Sequence, residues 1–333
     1  MKEGRHITVL GDGGWGTTLA LLLCSKGHRV SLWGAFPEYI DELERTRENK
    51  KFLPGIPLPP ELRLCRSIDD ALPDVDLAVI AVPVVYLRAT LEKIKPHYLP
   101  TLPAVSVAKG IENDTLLRAS EIIAEVLGAI PVAMLLGPSH AEEVARRLPT
   151  SVVASAVDMA FAEEVQSIFM TDRFRVYTNP DTVGVELSSA VKNVIAIASG
   201  ICDGLGFGDN AKAALITRGL AEISRLGIAL GAEPRTFAGL TGLGDLITTC
   251  ISPYGRNRAV GEAIGKGKTC KEVVDGMDQV AEGVWTAKSV RALAAKHGVE
   301  MPIADQVYEV LFNDKDPLSA VSDLMMREAK AED

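Results

Sequence analysis

Apolar residues fall in short runs along the first half of the chain. The runs at 7–10, 29–33, 77–82, 104–107, 132–135, 151–154 and 174–177 are mostly apolar at successive positions. Parallel strands buried beneath helices need that pattern, because neither face meets water. Between them the apolar period lengthens to that of a helix, at 17–26, 86–95 and 116–127. Strand and helix in alternation predict a doubly wound α/β sheet. The Pro-rich stretch from Phe52 to Pro60 is too rigid and too poor in N–H donors for either element. It is expected to cross the surface between sheet halves.

Beyond about residue 180 the β-branched runs stop, and helical patterns follow at 184–199, 210–230, 236–246, 256–266, 282–297 and 303–313. Leu187, Val191, Val194, Ile195 and Ala198 recur at the spacing of one buried helix face. The second half therefore reads as all-α, with a domain boundary that divides the chain into 1–183 and 184–333. A length of 333 residues suits two domains. No repeat is seen, and only the polar tail from Met326 to Asp333 is expected to lack structure.

Composition narrows the function. The net charge of −9 argues against a general affinity for nucleic acid or anionic lipid, although a small anion needs only a local cluster of cations. Five cysteines are scattered without a CxxC pair, as for reduced thiols in a reducing compartment. The five histidines are far apart, so no metal is expected. A strand pattern already starts at His6, which leaves no signal segment, and the longest apolar run, near 19–24, is too short for a bilayer. Cytoplasmic residence without an integral membrane segment is the expectation.

Gly11-Asp12-Gly13-Gly14-Trp15-Gly16 fits GxGxxG directly after the first strand and before a helix. Gly11 permits the tight turn, Gly13 lets the backbone approach a pyrophosphate, and Gly16 allows close helix–strand packing. The free N–H groups of the helix N-terminus complete an anion site. The first domain thus reads as Rossmann-like and as binding a dinucleotide. The acidic residue that usually reads the ribose should end the second strand, roughly 20 residues on. The segment 32–37 has no Asp, Glu, Arg or Lys, so NAD and NADP are both left open.

Three stretches offer further chemistry. Lys109 lies just past the carboxyl end of a strand, where open α/β sheets bind ligands, although taken alone it reads first as a solvated loop lysine. Lys192 sits among small and apolar residues with no acidic residue three or four positions away. Burial would favour its neutral amine and suit it to general-base work, unless it merely snorkels from a core helix. Glycines dense between 239 and 244 precede Asp245 and Thr249. Glycine costs about 1 kcal/mol inside a helix, so this is either a plain turn or a backbone that must approach a ligand. Arg256 with Asn257 could grip a phosphate through the guanidinium fork.

Taken together these stretches resemble the NAD(P)-dependent glycerol-3-phosphate dehydrogenase family of the bacterial, soluble type. The matching segments run in order: GDGGWGTTLA at Gly11, AVP at Ala81, AKGIE at Ala108, GPSHAEEVA at Gly137, ELSSAVKNVIAIASG at Glu186, GLTGLGDLITTC at Gly239, GRNRAVG at Gly255 and VAEGVWTA at Val280. The resemblance implies interconversion of sn-glycerol 3-phosphate and dihydroxyacetone phosphate with NAD or NADP, feeding glycerophospholipid synthesis. It implies that Gly11, Gly13, Gly14, Trp15 and Gly16 form the cofactor loop, with Ala141, Val280 and Glu282 also on the nucleotide. Lys109 would touch cofactor and substrate, and Gly137 and Ser139 would contact substrate. Lys192 would be the proton acceptor beside Asn193, oriented by Asp245 and Thr249. Arg256 and Asn257 would hold the phosphate, Arg256 also near the cofactor.

Two positions depart from the family pattern. Gly255 stands where Ser or Thr is common, and Ala35-Phe36 where His or Arg often meets a 2′-phosphate. A lysine-based dehydrogenase of a β-hydroxyacid and a non-catalytic nicotinamide sensor are the rival readings. Retention of Lys109, Lys192 and Asp245 speaks against the sensor. A homodimer is expected only by analogy between folds.

Overall fold

The computed structural model describes residues 4–277, 279–329 and 331–332. Eight strands form one sheet: β1 (His6–Leu10), β2 (Arg29–Trp33), β3 (Arg63–Cys65), β4 (Leu77–Ile80), β5 (Ala104–Ser106), β6 (Val132–Leu136), β7 (Thr150–Ala156) and β8 (Phe174–Asn179). Their order is β3-β2-β1-β4-β5-β6-β7-β8. From β1 the chain moves outward through β2 and β3, then returns to start β4 on the other side of β1. That reversal is the switch point beside which open α/β sheets place ligands, at the carboxyl ends of the strands.

All neighbouring strands run parallel except β6 and β7, where Leu136 pairs with Val153 in antiparallel register. The apolar-run pattern implied parallel strands throughout, and it also passes over β3. Strand β3 is three residues long, partly exposed and paired on one side only, with β2. Such an edge strand needs no apolar run.

The first compact unit comprises residues 1–110 and 117–186. Its core packs Ile7 and Val9 of β1, Leu19 and Leu23 of the helix Gly14–Ser25, Val79, Val105 and Phe169. Each side chain of this kind contributes roughly 1.5–3 kcal/mol when fully buried. The Pro-rich segment does not run between sheet halves. It joins the helix Pro37–Thr46 to β3, with Leu53 and Leu58 buried and the carbonyl of Phe52 set against Gly14. The helices Pro37–Thr46 and Met159–Phe169 were not evident in the apolar pattern.

The second unit comprises residues 111–116 and 187–333 and is helical. Thr182–Gly204, at 23 residues, is the one described helix long and apolar enough to cross a membrane, but 94% of its apolar window is buried inside the protein. Its hydrophobicity serves packing: from Leu187 to Ile201 every side chain is buried. Among the described residues no regular element follows Met325; residues 330 and 333 of the polar tail lie outside them.

Glu222 is buried in this unit and accepts the backbone N–H groups of Ile303 at 2.7 Å and Ala304 at 3.2 Å. Both belong to the first turn of the helix Pro302–Phe312. Burial outweighs those bonds and pushes the carboxyl from 4.5 up to about 7. A carboxyl raised on folding contributes stability that is fully present below its unfolded value and lost as pH rises through the folded one. Glu222→Gln is therefore expected to gain on the wild type between pH 5 and 8, by on the order of 2 kcal/mol. Thermal melts across that range check it; a difference that does not change with pH would refute the assignment.

Candidate active site

In the first unit the glycine turn leads from β1 into the helix Gly14–Ser25. Gly11 has φ +119°, and a Cβ there would lie 2.5 Å from the carbonyl oxygen of Ala81, at the end of β4. A Cβ on Gly16 would overlap the carbonyl of Gly11. At Gly13 a Cβ would meet nothing within 4 Å, so the outer face of the turn is open. The helix begins with no side-chain cap and no acidic residue in its first turn. Its N–H groups and positive dipole end thus face an anion site, and the fit to a dinucleotide pyrophosphate is good.

The turn is braced by Asn49, which is fully buried. Its Nδ2 donates to the carbonyl of Asp12 at 2.8 Å and to Thr17 Oγ1 at 2.7 Å. Its Oδ1 accepts from Tyr39 Oη at 2.6 Å and the Phe52 N–H at 3.1 Å. Nothing in the sequence around Asn49 marks it, because its partners lie up to 37 residues away. Trp15 packs inward, its ring 6.4 Å from that of Phe174. Ala141, the first residue of the helix Ala141–Ala145, lies against Gly14, and its carbonyl accepts from the Thr18 hydroxyl at 3.2 Å.

Lys109 and Gly137 follow the neighbouring parallel strands β5 and β6. Lys109 Nζ donates to the carbonyl of Gly137 at 2.8 Å and to Ser139 Oγ at 3.5 Å. Ser139 Oγ donates to the same carbonyl at 2.9 Å. These three expected residues are one cluster.

In the second unit Lys192 is 3% exposed, Asp245 2% and Thr249 6%. Lys192 Nζ lies 2.9 Å from Asp245 Oδ1 and donates to Thr249 Oγ1 at 2.5 Å. Asp245 and Thr249 stand four apart on the helix Asp245–Ile251, so they share a face. The Thr249 hydroxyl donates to the carbonyl of Asp245 at 2.6 Å, which turns its lone pairs toward the amine. No acid lies within one helical turn of Lys192 along the sequence, so spacing alone does not reveal its partner. Its carboxylate partner comes from 53 residues downstream.

A π-helical turn, Leu240–Gly244, feeds directly into Asp245. A Cβ on Gly242 would overlap the carbonyl of Phe237, so this glycine is required by the turn itself and needs no ligand to explain it. Arg256 is exposed and donates to the carbonyl of Val280 at 2.9 Å. Asn257 is buried, and its Oδ1 accepts the N–H of Gly283 at 2.9 Å, in the first turn of the helix Glu282–His297. That leaves its amide nitrogen as the group that can donate outward. Asn193 is buried next to Lys192 in sequence, and its carbonyl abuts Gly283. Glu282 opens the same helix as Gly283.

Comparison with known proteins adds an independent line. Residues 6–162 match the family described as NAD-dependent glycerol-3-phosphate dehydrogenase N-terminus, and residues 181–322 its C-terminus. The chain is similar to a protein of Chlorobium limicola named glycerol-3-phosphate dehydrogenase [NAD(P)+], 52% identical over 330 residues, covering 98% of this chain and 99% of the relative. A protein of the same name from Chlorobium phaeobacteroides is 53% identical over 329 residues, covering 98% of each chain. A crystal structure of glycerol-3-phosphate dehydrogenase from Coxiella burnetii superposes with a TM-score of 0.94 at 40% identity, covering 97% of this chain and 99% of that one.

The Asn49 network yields a test. Asn49→Ala removes four hydrogen bonds and strands buried groups on three segments. A loss of about 2–4 kcal/mol in urea unfolding is expected; a loss below about 0.5 kcal/mol would show that the bonds are not what braces the turn.

Proposed function

The chain belongs to the NAD-dependent glycerol-3-phosphate dehydrogenase family, and we propose that Lys192 is the general acid–base with which it interconverts sn-glycerol 3-phosphate and dihydroxyacetone phosphate. The observation that carries this is the buried amine of Lys192 held by a carboxylate and a hydroxyl. The chain is an NAD(P)-dependent oxidoreductase, as its relatives are named. The bound dinucleotide supplies a hydride acceptor in one direction and a hydride donor in the other.

In oxidation, Lys192 as neutral amine takes the proton from the C2 hydroxyl. The O–H electron pair becomes the second C–O bond while hydrogen leaves C2 with its pair. The ammonium so formed is stabilised by Asp245, which lies 2.9 Å away. In reduction, the ammonium polarises the ketone and returns the proton to the developing alkoxide. Thr249 fixes the direction of the amine, because its hydroxyl proton is committed to the carbonyl of Asp245.

Arg256 and Asn257 are read as the phosphate grip, Arg256 presenting an exposed guanidinium already oriented by Val280. Lys109, with Gly137 and Ser139, is read as touching both ligands from the ends of β5 and β6. The glycine turn with Ala141, and Val280 with Glu282, are read as the dinucleotide's contacts. Product glycerol 3-phosphate would supply glycerophospholipid synthesis in the cytoplasm. A two-copy assembly is the state expected of such a plan.

Following NADH and NADPH absorbance separately with dihydroxyacetone phosphate tests the activity itself. Lys192→Ala is expected to lower turnover by about 10²–10⁴ with the fold intact; turnover within about tenfold of wild type would exclude the proton role. Arg256→Ala is expected chiefly to raise the substrate KM, by about tenfold or more, and an unchanged KM would rule out the phosphate grip.

A further inference from the structure

The segment after β2 carries no acidic side chain to read the adenosine ribose, yet a carboxylate does reach that place from the glycine turn. Asp12 Oδ2 is buried with no hydrogen-bond partner among the described residues. Gly34 follows β2 directly and is itself buried. A Cβ built there would overlap the Asp12 carboxylate, so the carboxylate occupies the space a side chain at 34 would take. The carboxylate thus stands over the end of β2 without being part of it.

An orphaned buried acceptor is costly and calls for a donor. Burial pushes the Asp12 carboxyl above the usual carboxylate range, while the Asp12 N–H and the charge of Lys51 pull it back. The surroundings are built and rigid: the carbonyl of Asp12 accepts from Asn49 Nδ2 at 2.8 Å and from Thr17 Oγ1 at 3.3 Å. Asp12 is half-buried as a residue, and it lies in the turn that leads from β1 into the helix Gly14–Ser25.

The geometry points to Asp12 as the specificity-determining residue that reads the adenosine ribose of the dinucleotide and selects NAD(H) over NADP(H). At the end of the second strand a dinucleotide presents ribose hydroxyls, which are donors, and a carboxylate there accepts them. A 2′-phosphate at the same place removes one donor and sets negative charge against negative charge. Gly34 has no side chain, which makes room for a carboxylate delivered from another strand. Ala35 and Phe36, both exposed, offer nothing to a phosphate. This inference rests on the proposed dehydrogenase function and names the cofactor it uses.

Equilibrium titration of the full chain with NADH and with NADPH, read by calorimetry and independent of turnover, tests it. The wild type is expected to bind NADH at least about tenfold more tightly than NADPH. Asp12→Asn should move that ratio toward NADPH by about tenfold or more, because the charge goes and the shape stays. Gly34→Ala displaces the carboxylate without removing it and should move the ratio the same way; circular dichroism verifies the fold of both. A wild type that prefers NADPH overturns the inference. So does a ratio unmoved within about threefold in whichever folded variant is measured, even where both affinities fall together. A wild type that binds neither dinucleotide overturns the dehydrogenase reading as well, whereas binding of both with an unmoved ratio overturns only the role of Asp12.

Discussion

An ammonium and a carboxylate that water does not reach are the constraint from which the helical unit is best understood. Taking two such ions out of water costs several kcal/mol each, and their attraction offsets this only in good geometry with further hydrogen bonds. The pair Lys192–Asp245 has that geometry because Thr249 gives the amine a second acceptor and anchors its own proton to the backbone. A hydrophobic pair of similar volume would serve stability as well or better. The proposed proton role would account for the cost, since low-dielectric surroundings strengthen the field at an atom where charge develops.

The elements around this pair follow from the need to hold it. Helix Thr182–Gly204 is buried on every side from Leu187 to Ile201, so it runs through the interior and carries one cation there. The π-helical turn Leu240–Gly244 packs tightly enough that Gly242 cannot carry a side chain, and it releases into Asp245. π-Turns are uncommon and tend to occur at functional positions. In the first unit the glycine turn solves the opposite problem. Its helix leaves N–H groups without a side-chain cap, whereas Met159–Phe169 is capped by Asp158. The polar bracing goes instead to the backbone behind the turn, through Asn49.

Much of this was legible in the chain. Apolar runs mark seven of the eight strands, because a strand covered on both faces leaves no polar period. Strand β3 escapes as a short edge, and the reversal of direction between β6 and β7 escapes because direction leaves no trace in an apolar run. Lys192 was visible as a cation out of place, while its partner Asp245 came only from the family resemblance and not from spacing. Helical neighbours are set by spacing, while Asp245 reaches it through tertiary folding. Asn49 is invisible for the same reason, and Asp12 was hidden inside a motif whose second position is usually read as filler.

Gly255 shows how a departure from a family pattern can be packing and chemistry at once. Where Ser or Thr would be expected, a Cβ would stand 2.9 Å from the carbonyl oxygen of Thr249 and 3.3 Å from that of Ser252. The first of these is tighter than real side chains tolerate, so a hydroxyl residue would push back the end of the helix Asp245–Ile251. That helix carries Asp245 and Thr249, which hold Lys192. With glycine, the carbonyl of Ser252 can instead accept the Gly255 N–H at 3.2 Å and Arg258 Nε at 3.1 Å, closing the turn from within. Without a side chain at 255, the segment ahead of Arg256 closes against the helix that carries Asp245 and Thr249, beside the phosphate grip proposed for Arg256 and Asn257.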